Sequence, residues 1–245
     1  MSTFHFKRFD VTNERSSMKV NTDGVLLGAV VRLSGGERSV LDVGTGTGTI
    51  ALMLAQRLGD LGVSDCRITG IDIDAPSAEE ASANFAASPW SGCLEARQEP
   101  FRKDAEGAEI DLIVSNPPYF DNSLQAAGDR RNAARHTEVA AGEGESLSYR
   151  DLVIFAERRL SPDGRLALIL PADQEKALIR FAASYSLHPQ RITRVRTTPR
   201  KAPSRIIAEF ARGRQETAEN LITIQDGGAY TEQYLAVTHD FYLFS

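Results

Sequence analysis

Asp111-Leu112-Ile113-Val114-Ser115-Asn116-Pro117-Pro118-Tyr119 reads as a short buried strand that halts at two prolines and holds an amide and an aromatic ring at its tip. Leu112, Ile113 and Val114 form the continuous apolar run expected of a strand covered on both faces. Pro117 and Pro118 have no backbone N–H, so the ladder ends there and Ser115 and Asn116 emerge from the sheet edge. A residue before proline avoids the α region, which holds Asn116 extended and aims its carboxamide in one direction. The plain alternative is a simple turn, because Asn-Pro is a common turn initiator.

A fixed amide oxygen, a neighbouring carbonyl and a ring suit a planar conjugated amine such as that of adenine. The lone pair of such an amine is delocalised into the ring, which makes it a poor nucleophile. If the Asn116 side-chain oxygen and the Pro117 carbonyl each accept one N–H, the nitrogen moves towards tetrahedral geometry and its lone pair is exposed. The positive charge that develops during attack then meets two oriented dipoles. Tyr119 would stack on the face of the base.

Upstream, Ser39-Val40-Leu41-Asp42-Val43 reads as another buried strand, followed by Gly44-Thr45-Gly46-Thr47-Gly48 and a helix with Ile50, Met53, Leu54 and Leu58 at helical spacing. Glycines directly after a strand let the chain turn tightly and let a ligand approach the backbone. Gly46 and Gly48, with Ala51, satisfy a loose dinucleotide fingerprint, a weak signal alone. Asp42, two residues before Gly44, gives instead the form Asp-x-Gly-x-Gly-x-Gly typical of S-adenosylmethionine sites. A carboxylate there can hold the ammonium of the cofactor's amino-acid end and would be unwelcome beside a pyrophosphate. Arg67 to Asp74 is a further strand, and Asp72 near its end can accept both hydroxyls of a ribose, which either cofactor carries.

Strand and helix continue to alternate: a strand from about Cys93 to Gln98, a helix from Tyr149 to Leu160, a turn at Ser161–Gly164, a strand from Arg165 to Pro171, and a helix from about Asp173 to Tyr185. This alternation predicts an α/β fold with a doubly wound, mainly parallel sheet. Arg191–Thr198 and Arg205–Ala211 read as an antiparallel C-terminal strand pair, with a possible strand at Asn220–Gln225 and a closing helix from Tyr230 to Phe244. In doubly wound sheets, ligands bind at the carboxyl ends of the strands where strand order reverses. The glycine loop and Asn116 are expected to face each other across that crevice. Residues 1–38 precede the first buried strand and are expected to pack on the core domain, residues 39–245, with Thr22 or Asp23 capping a helix.

At 245 residues the chain is long enough to bury a full core without staples. Cys66 and Cys93 have neither ligand spacing nor the numbers for a disulfide framework, so neither metal nor disulfide is expected. No segment reads as a signal peptide or a membrane span, and a cytoplasmic protein is expected. The net charge is −5, yet residues 191–214 hold eight basic residues against Glu209 alone. That window is +7 in an otherwise acidic chain, which points to phosphate contact as well as to a solvated face. Candidate RNA contacts are Arg194, Arg196, Arg200, Lys201 and Arg205, with Arg130 and Arg131 in the polar stretch 120–148. The oligomeric state is left open, with a monomer slightly favoured.

With these residues quoted, the chain resembles class I S-adenosylmethionine-dependent methyltransferases and, more narrowly, the bacterial tRNA(Val) adenine-37 N(6)-methyltransferase family. The resemblance runs through Met18–Gly28, Leu41–Gly48, Ile113–Tyr119, Ala134-Arg135-His136 and the ending from Tyr230 to Leu243. It implies a Rossmann-like seven-stranded sheet, S-adenosylmethionine as donor, and the adenine beside the anticodon of valine tRNA as acceptor. It places Asp42, Gly44 and Gly46 on the methionine part of the cofactor, Asp72 on the ribose, and Asn116 with Tyr119 on the base; Gly48 is a further candidate for cofactor binding and Pro117 for the catalytic clamp. Asn21 stands where the family usually has glycine. Glu99 stands where an aspartate usually meets the cofactor adenine. Methylation of a guanine amino group in ribosomal RNA, or of a protein glutamine, are the neighbouring expectations. The latter generally needs an N-terminal domain larger than 38 residues.

Overall fold

The computed structural model describes residues 2–118 and 147–243. Tyr119, Arg130, Arg131, Arg135 and His136 lie outside the described residues. The chain runs β1 (Thr3–His5), β2 (Asp10–Thr12), α1 (Thr22–Val30), β3 (Ser39–Val43), α2 (Thr49–Asp60), β4 (Arg67–Asp72), α3 (Ala75–Ala87), β5 (Leu94–Gln98) and β6 (Ile110–Ser115). After the undescribed stretch come α4 (Tyr149–Arg159), β7 (Leu160–Pro171), α5 (Glu175–Ser184), β8 (His188–Arg196), β9 (Arg205–Ala211) and β10 (Ala218–Thr223). A two-stranded hairpin, β11 (Gln225–Asp226) and β12 (Ala229–Tyr230), leads to α6 (Glu232–Thr238).

Eight strands form one sheet in the order β10-β8-β9-β7-β6-β3-β4-β5. All pairings are parallel except those of β9, which runs against both β7 and β8. The family resemblance implies seven strands; the eighth is β10, which adds in parallel to the outer edge of β8. From β3 the order proceeds through β4 and β5 on one side and through β6 and β7 on the other, so strand order reverses between β3 and β6.

Period-two alternation explains why apolar runs are tolerated here. Leu112, Val114, Ala167 and Ile169 project into one buried cluster, while Ile113, Leu166, Leu168 and Leu170 project into a second. The first cluster holds Leu26 of α1, Leu52 and Leu54 of α2, and Phe85 of α3; the second holds Leu152 and Phe155 of α4 and Leu178 of α5. Helices therefore cover both faces, the condition a parallel sheet needs.

The first 38 residues share the first cluster through Phe6, Phe9, Val11, Val25, Leu26, Leu27 and Val31. Phe6 stacks on Phe9 at 4.6 Å and lies parallel to Tyr242 near the C-terminus at 6.0 Å. The loop after β2 is suspended from α3, because Glu80 accepts hydrogen bonds from the amides of Glu14, Arg15 and Ser16 at 2.7–3.0 Å. Helix α1 is capped by Asn21 rather than by Thr22 or Asp23. Asn21 is extended (φ −142°, ψ 163°) and accepts from the Gly24 amide at 2.9 Å, whereas Asp23 is drawn to Arg205.

Strands β8 and β10 begin three and two residues earlier than expected, at His188 and Ala218, and two further boundaries differ in kind. Ser161–Gly164 lies within the long strand β7, which contacts β6 at Leu160 and resumes regular pairing at Arg165 after a register shift. The closing helix is shorter than Tyr230–Phe244: Ala229 and Tyr230 pair back on Gln225 and Asp226, and Thr231 caps α6. Left-handed Gly227 and Gly228 make that hairpin turn possible (φ 57° and 89°).

Candidate active site

The site begins with register. Val43 pairs with Ser115 across β3 and β6, so Gly44 and Asn116 leave the sheet side by side at its carboxyl edge. Ser115 fixes the junction by donating its hydroxyl to the Val43 carbonyl at 2.7 Å. Pro117 is buried and Pro118 exposed, and the strand ends before them as their missing amides require. Asn116, half-buried, lines a cleft together with Met18, Lys19, Val20, Asn21, Gly24, Gly44, Thr45 and Thr47.

The glycine loop is wound tightly against this cleft. Gly44, Gly46 and Gly48 all have left-handed φ values, 71°, 56° and 81°. The amides of Gly44 and Thr45 donate to the Ile71 carbonyl at 2.9 and 3.0 Å, and the Gly46 amide donates to Asp72 Oδ2 at 2.9 Å. A Cβ on Gly48 would sit 2.9 Å from Phe85 Cζ and closer still to Cε1, so helix α3 approaches the loop where only glycine fits.

Two carboxylates stand at the base of the loop. Asp42 is fully buried; its Oδ2 accepts from the Thr45 hydroxyl at 2.7 Å, while Oδ1 has no hydrogen-bond partner among the described residues. Burial pushes its carboxyl up to about 7, opposed by the Thr45 hydroxyl and the Ala51 amide and helped by the nearby Asp72 charge. Asp72 is raised as well, mainly by burial, and is anchored by the amides of Asp74 and Gly46. An orphaned, buried carboxylate oxygen beside a left-handed glycine loop fits a ligand carrying an ammonium group and a ribose, as S-adenosylmethionine does. Glu99 is exposed just past β5, and its amide donates to the Asp72 carbonyl at 2.9 Å, which sets it beside the same strand end.

The basic window divides into bound and open members. Arg194 is clamped by Glu175 and by Glu219, at 2.9 Å from Nε and 2.8 Å from Nη1. Arg205 donates to Asp23 at 2.8 Å, and Arg196 donates to the Thr223 hydroxyl and the Pro199 carbonyl. Arg200 and Lys201 are exposed on the loop between β8 and β9, which leaves the same carboxyl edge as Asn116. The carboxylates that hold Arg194 and Arg205 come from sequence-distant helices and strands, so the one-dimensional charge count could not register them. Sequence reasoning also passed over Thr45, Thr47 and Lys19 as cleft residues. The two threonines are signalled only by their place between the glycines.

Among the described residues there is no group of side chains able to hold a metal ion, and no helix long and apolar enough to cross a membrane.

A parallel sheet that reverses order between β3 and β6, with the glycine loop on one side and an Asn-Pro-Pro tip on the other, defines a class I S-adenosylmethionine-dependent methyltransferase. Residues 17–135 match the family model of the methyltransferase small domain. In fold the chain is similar to a methyltransferase from Pyrococcus furiosus (TM-score 0.58, 17% identity, 84% of this chain and 90% of that one). It is similar also to a T. thermophilus 16S rRNA N2 methyltransferase solved with AdoMet and guanosine (TM-score 0.54, 20% identity, 86% of this chain and 50% of that one).

Curated relatives are similar over their whole length. That from Phocaeicola vulgatus is 39% identical over 98% of this chain and 97% of its own. That from Aeromonas salmonicida is 40% identical over 99% and 98%. Both carry the name tRNA1(Val) (adenine(37)-N6)-methyltransferase, and the chain belongs to this family.

Proposed function

We propose that this protein, acting in the cytoplasm, transfers a methyl group from S-adenosylmethionine to the 6-amino group of adenine 37 in valine tRNA. The observation that carries the reading is the pairing of Val43 with Ser115, which sets the Asn116 amide beside the glycine loop. The names of the full-length relatives favour adenine over the guanine and glutamine alternatives.

Bound cofactor supplies an electrophilic methyl on a sulfonium. Asp42, with one carboxylate oxygen already held by Thr45, receives the ammonium, and Asp72 receives the ribose hydroxyls. The Asn116 side-chain oxygen and the Pro117 carbonyl accept the two amine hydrogens of the target base, which localises the nitrogen lone pair for in-line attack. With cofactor bound, its methyl would pass to that nitrogen and leave S-adenosylhomocysteine, and the amine would release one proton to solvent. Tyr119 stacks on the base. Extrusion of a base from an RNA loop costs less than from a duplex, which suits an adenine next to the anticodon.

Arg200 and Lys201 give the open cationic contacts for the tRNA backbone, joined by Arg130 and Arg131. Arg194, Arg196 and Arg205 shape the surface from which they project. Nucleoside mass spectrometry of valine tRNA from cells with and without the gene tests the reading. Loss of 6-methyladenosine is expected, and an unchanged level overturns it.

A further inference from the structure

The eight-stranded sheet is open, and its two edges are finished differently. At the β10 edge the outward groups of Thr223 are taken: its amide donates to Gln233 Oε1 at 3.3 Å, and its carbonyl accepts from the Thr231 hydroxyl. Gln233 lies in α6 and Thr231 caps it, so the chain's own last helix closes the carboxyl end of that edge. The opposite edge is β5, Leu94-Glu95-Ala96-Arg97-Gln98, which pairs with β4 in unbroken parallel register and carries neither proline nor bulge.

The direction of each main-chain group along β5 follows from its two ends. The Ile68 amide donates to the Cys93 carbonyl at 2.8 Å, and the Glu99 amide donates to the Asp72 carbonyl at 2.9 Å. Cys93 and Glu99 thus face β4, and by alternation so do Glu95 and Arg97. The amides and carbonyls of Leu94, Ala96 and Gln98 point outward, and among the described residues no hydrogen-bond partner meets them. Such a row is a template for another strand.

The side chains decide which strand fits. Leu94 and Ala96 pack inward on the first buried cluster. Glu95 and Arg97 stand on the other face, exposed and joined to each other at 2.8 Å through both Nε and Nη2. Charges on an edge ordinarily hold a second edge away. Here two opposite charges, two residues apart, make the strand complementary to itself. In an antiparallel pair of copies, outward groups must oppose outward groups. A twofold axis through Glu95 or Arg97 would set that side chain against its own like charge. An axis through Ala96 pairs Ala96 with Ala96 and Leu94 with Gln98, which bonds every outward group. The same axis puts Glu95 across from Arg97 at a non-hydrogen-bonded position, where facing side chains come closest.

We infer that β5 is a self-association edge, through which two copies of this chain join antiparallel about a twofold axis at Ala96 and continue one sheet through both. The contact uses one identical patch on each copy, as a twofold interface requires. It is narrow, so association is weak and reversible, rising with protein concentration. Because the partner strand runs the other way, Cys93 of one copy falls opposite Glu99 of the other. The interface therefore borders the strand end that carries Asp72. The inference is independent of the reaction proposed above.

Sedimentation velocity of the full chain across a concentration series at low salt tests this. Wild type is expected to pass from monomer to dimer as concentration rises. Glu95→Arg leaves the edge with two positive charges and Arg97→Glu leaves it with two negative ones. Each variant alone is expected to self-associate roughly tenfold more weakly. Mixed in equal amounts, the two variants restore opposite charges at both positions across the axis, and a heterodimer is expected. Glu95→Arg combined with Arg97→Glu in one chain should recover self-association as well. Melting temperature and binding of S-adenosylhomocysteine check that every variant folds. A wild type that stays monomeric throughout, self-association unchanged in either single variant, or a mixture that stays monomeric would overturn the inference.

Discussion

Ser115 donates its hydroxyl to the carbonyl of Val43 at 2.7 Å, which ties the end of one central strand to the end of its neighbour. This bond, added to their register pairing, fixes the separation of Gly44 and Asn116 by the sheet itself rather than by a loop. A site built on strand ends is more sharply positioned than one built on loops alone.

Asn116→Ala is therefore expected to remove one of the two acceptors without disturbing the strands. Loss of one oriented dipole at a developing charge lowers turnover by about 10²–10³-fold. Binding of S-adenosylhomocysteine by calorimetry should stay within a few-fold of wild type. Wild-type turnover in this variant would remove the clamp from the mechanism.

Asp42 makes a prediction in pH. Its carboxyl is raised from about 3.8 to about 7 by burial, so between those values the native state holds a proton that the unfolded chain has released. The stability it contributes is full below about pH 4 and is lost as pH rises through 7. Asp42→Asn should then gain in melting temperature over the cofactor-free wild type as pH goes from 5 to 8. The same variant should bind S-adenosylhomocysteine at least tenfold more weakly at pH 8. A melting difference independent of pH would contradict this account.

Gly48→Ala tests the close approach of α3. The added methyl meets a buried Phe85 ring at a residue with φ 81°, so strain and overlap both act. A loss of about 2–4 kcal/mol in denaturant unfolding is expected, with weaker cofactor binding. An unchanged midpoint would mean that Phe85 yields without cost.

The arginines separate by salt dependence. Arg200→Glu with Lys201→Glu should lower tRNA affinity and reduce the slope of log K against log salt by about 2. Arg194→Ala should leave that slope unchanged and cost little stability, since Glu219 is exposed and Glu175 only partly buried. Filter binding across a salt series distinguishes the two.

The architecture was legible because its signals are local. The apolar runs of β6 and β7, the glycines after β3 and the prolines after Asn116 each dictate their own geometry, and parallel pairing follows from the alternation with helices. The β1–β2 hairpin was not legible: three-residue strands give too short a pattern, and the aromatic packing of Phe6 against Tyr242 joins residues at opposite ends of the chain. The partners of Arg194 and Arg205 were hidden for the same reason. Asn21 was seen as a departure from glycine, yet its capping of α1 depends on an extended backbone that only the fold imposes.

The attachment of the loop after β2 to α3 has a consequence for how the enzyme meets its ligands. Ser16, held through its amide by Glu80, also meets Ser77 through its hydroxyl, and Ser77 in turn is bound to Asp74, two residues past the ribose acid. The ceiling over the methionine end is thus fastened to the wall at the sugar end. Met18, whose carbonyl accepts from the Ser16 hydroxyl, is thereby joined through Ser16, Ser77 and Asp74 to Asp72, so one hydrogen-bonded frame carries both ends of the cleft.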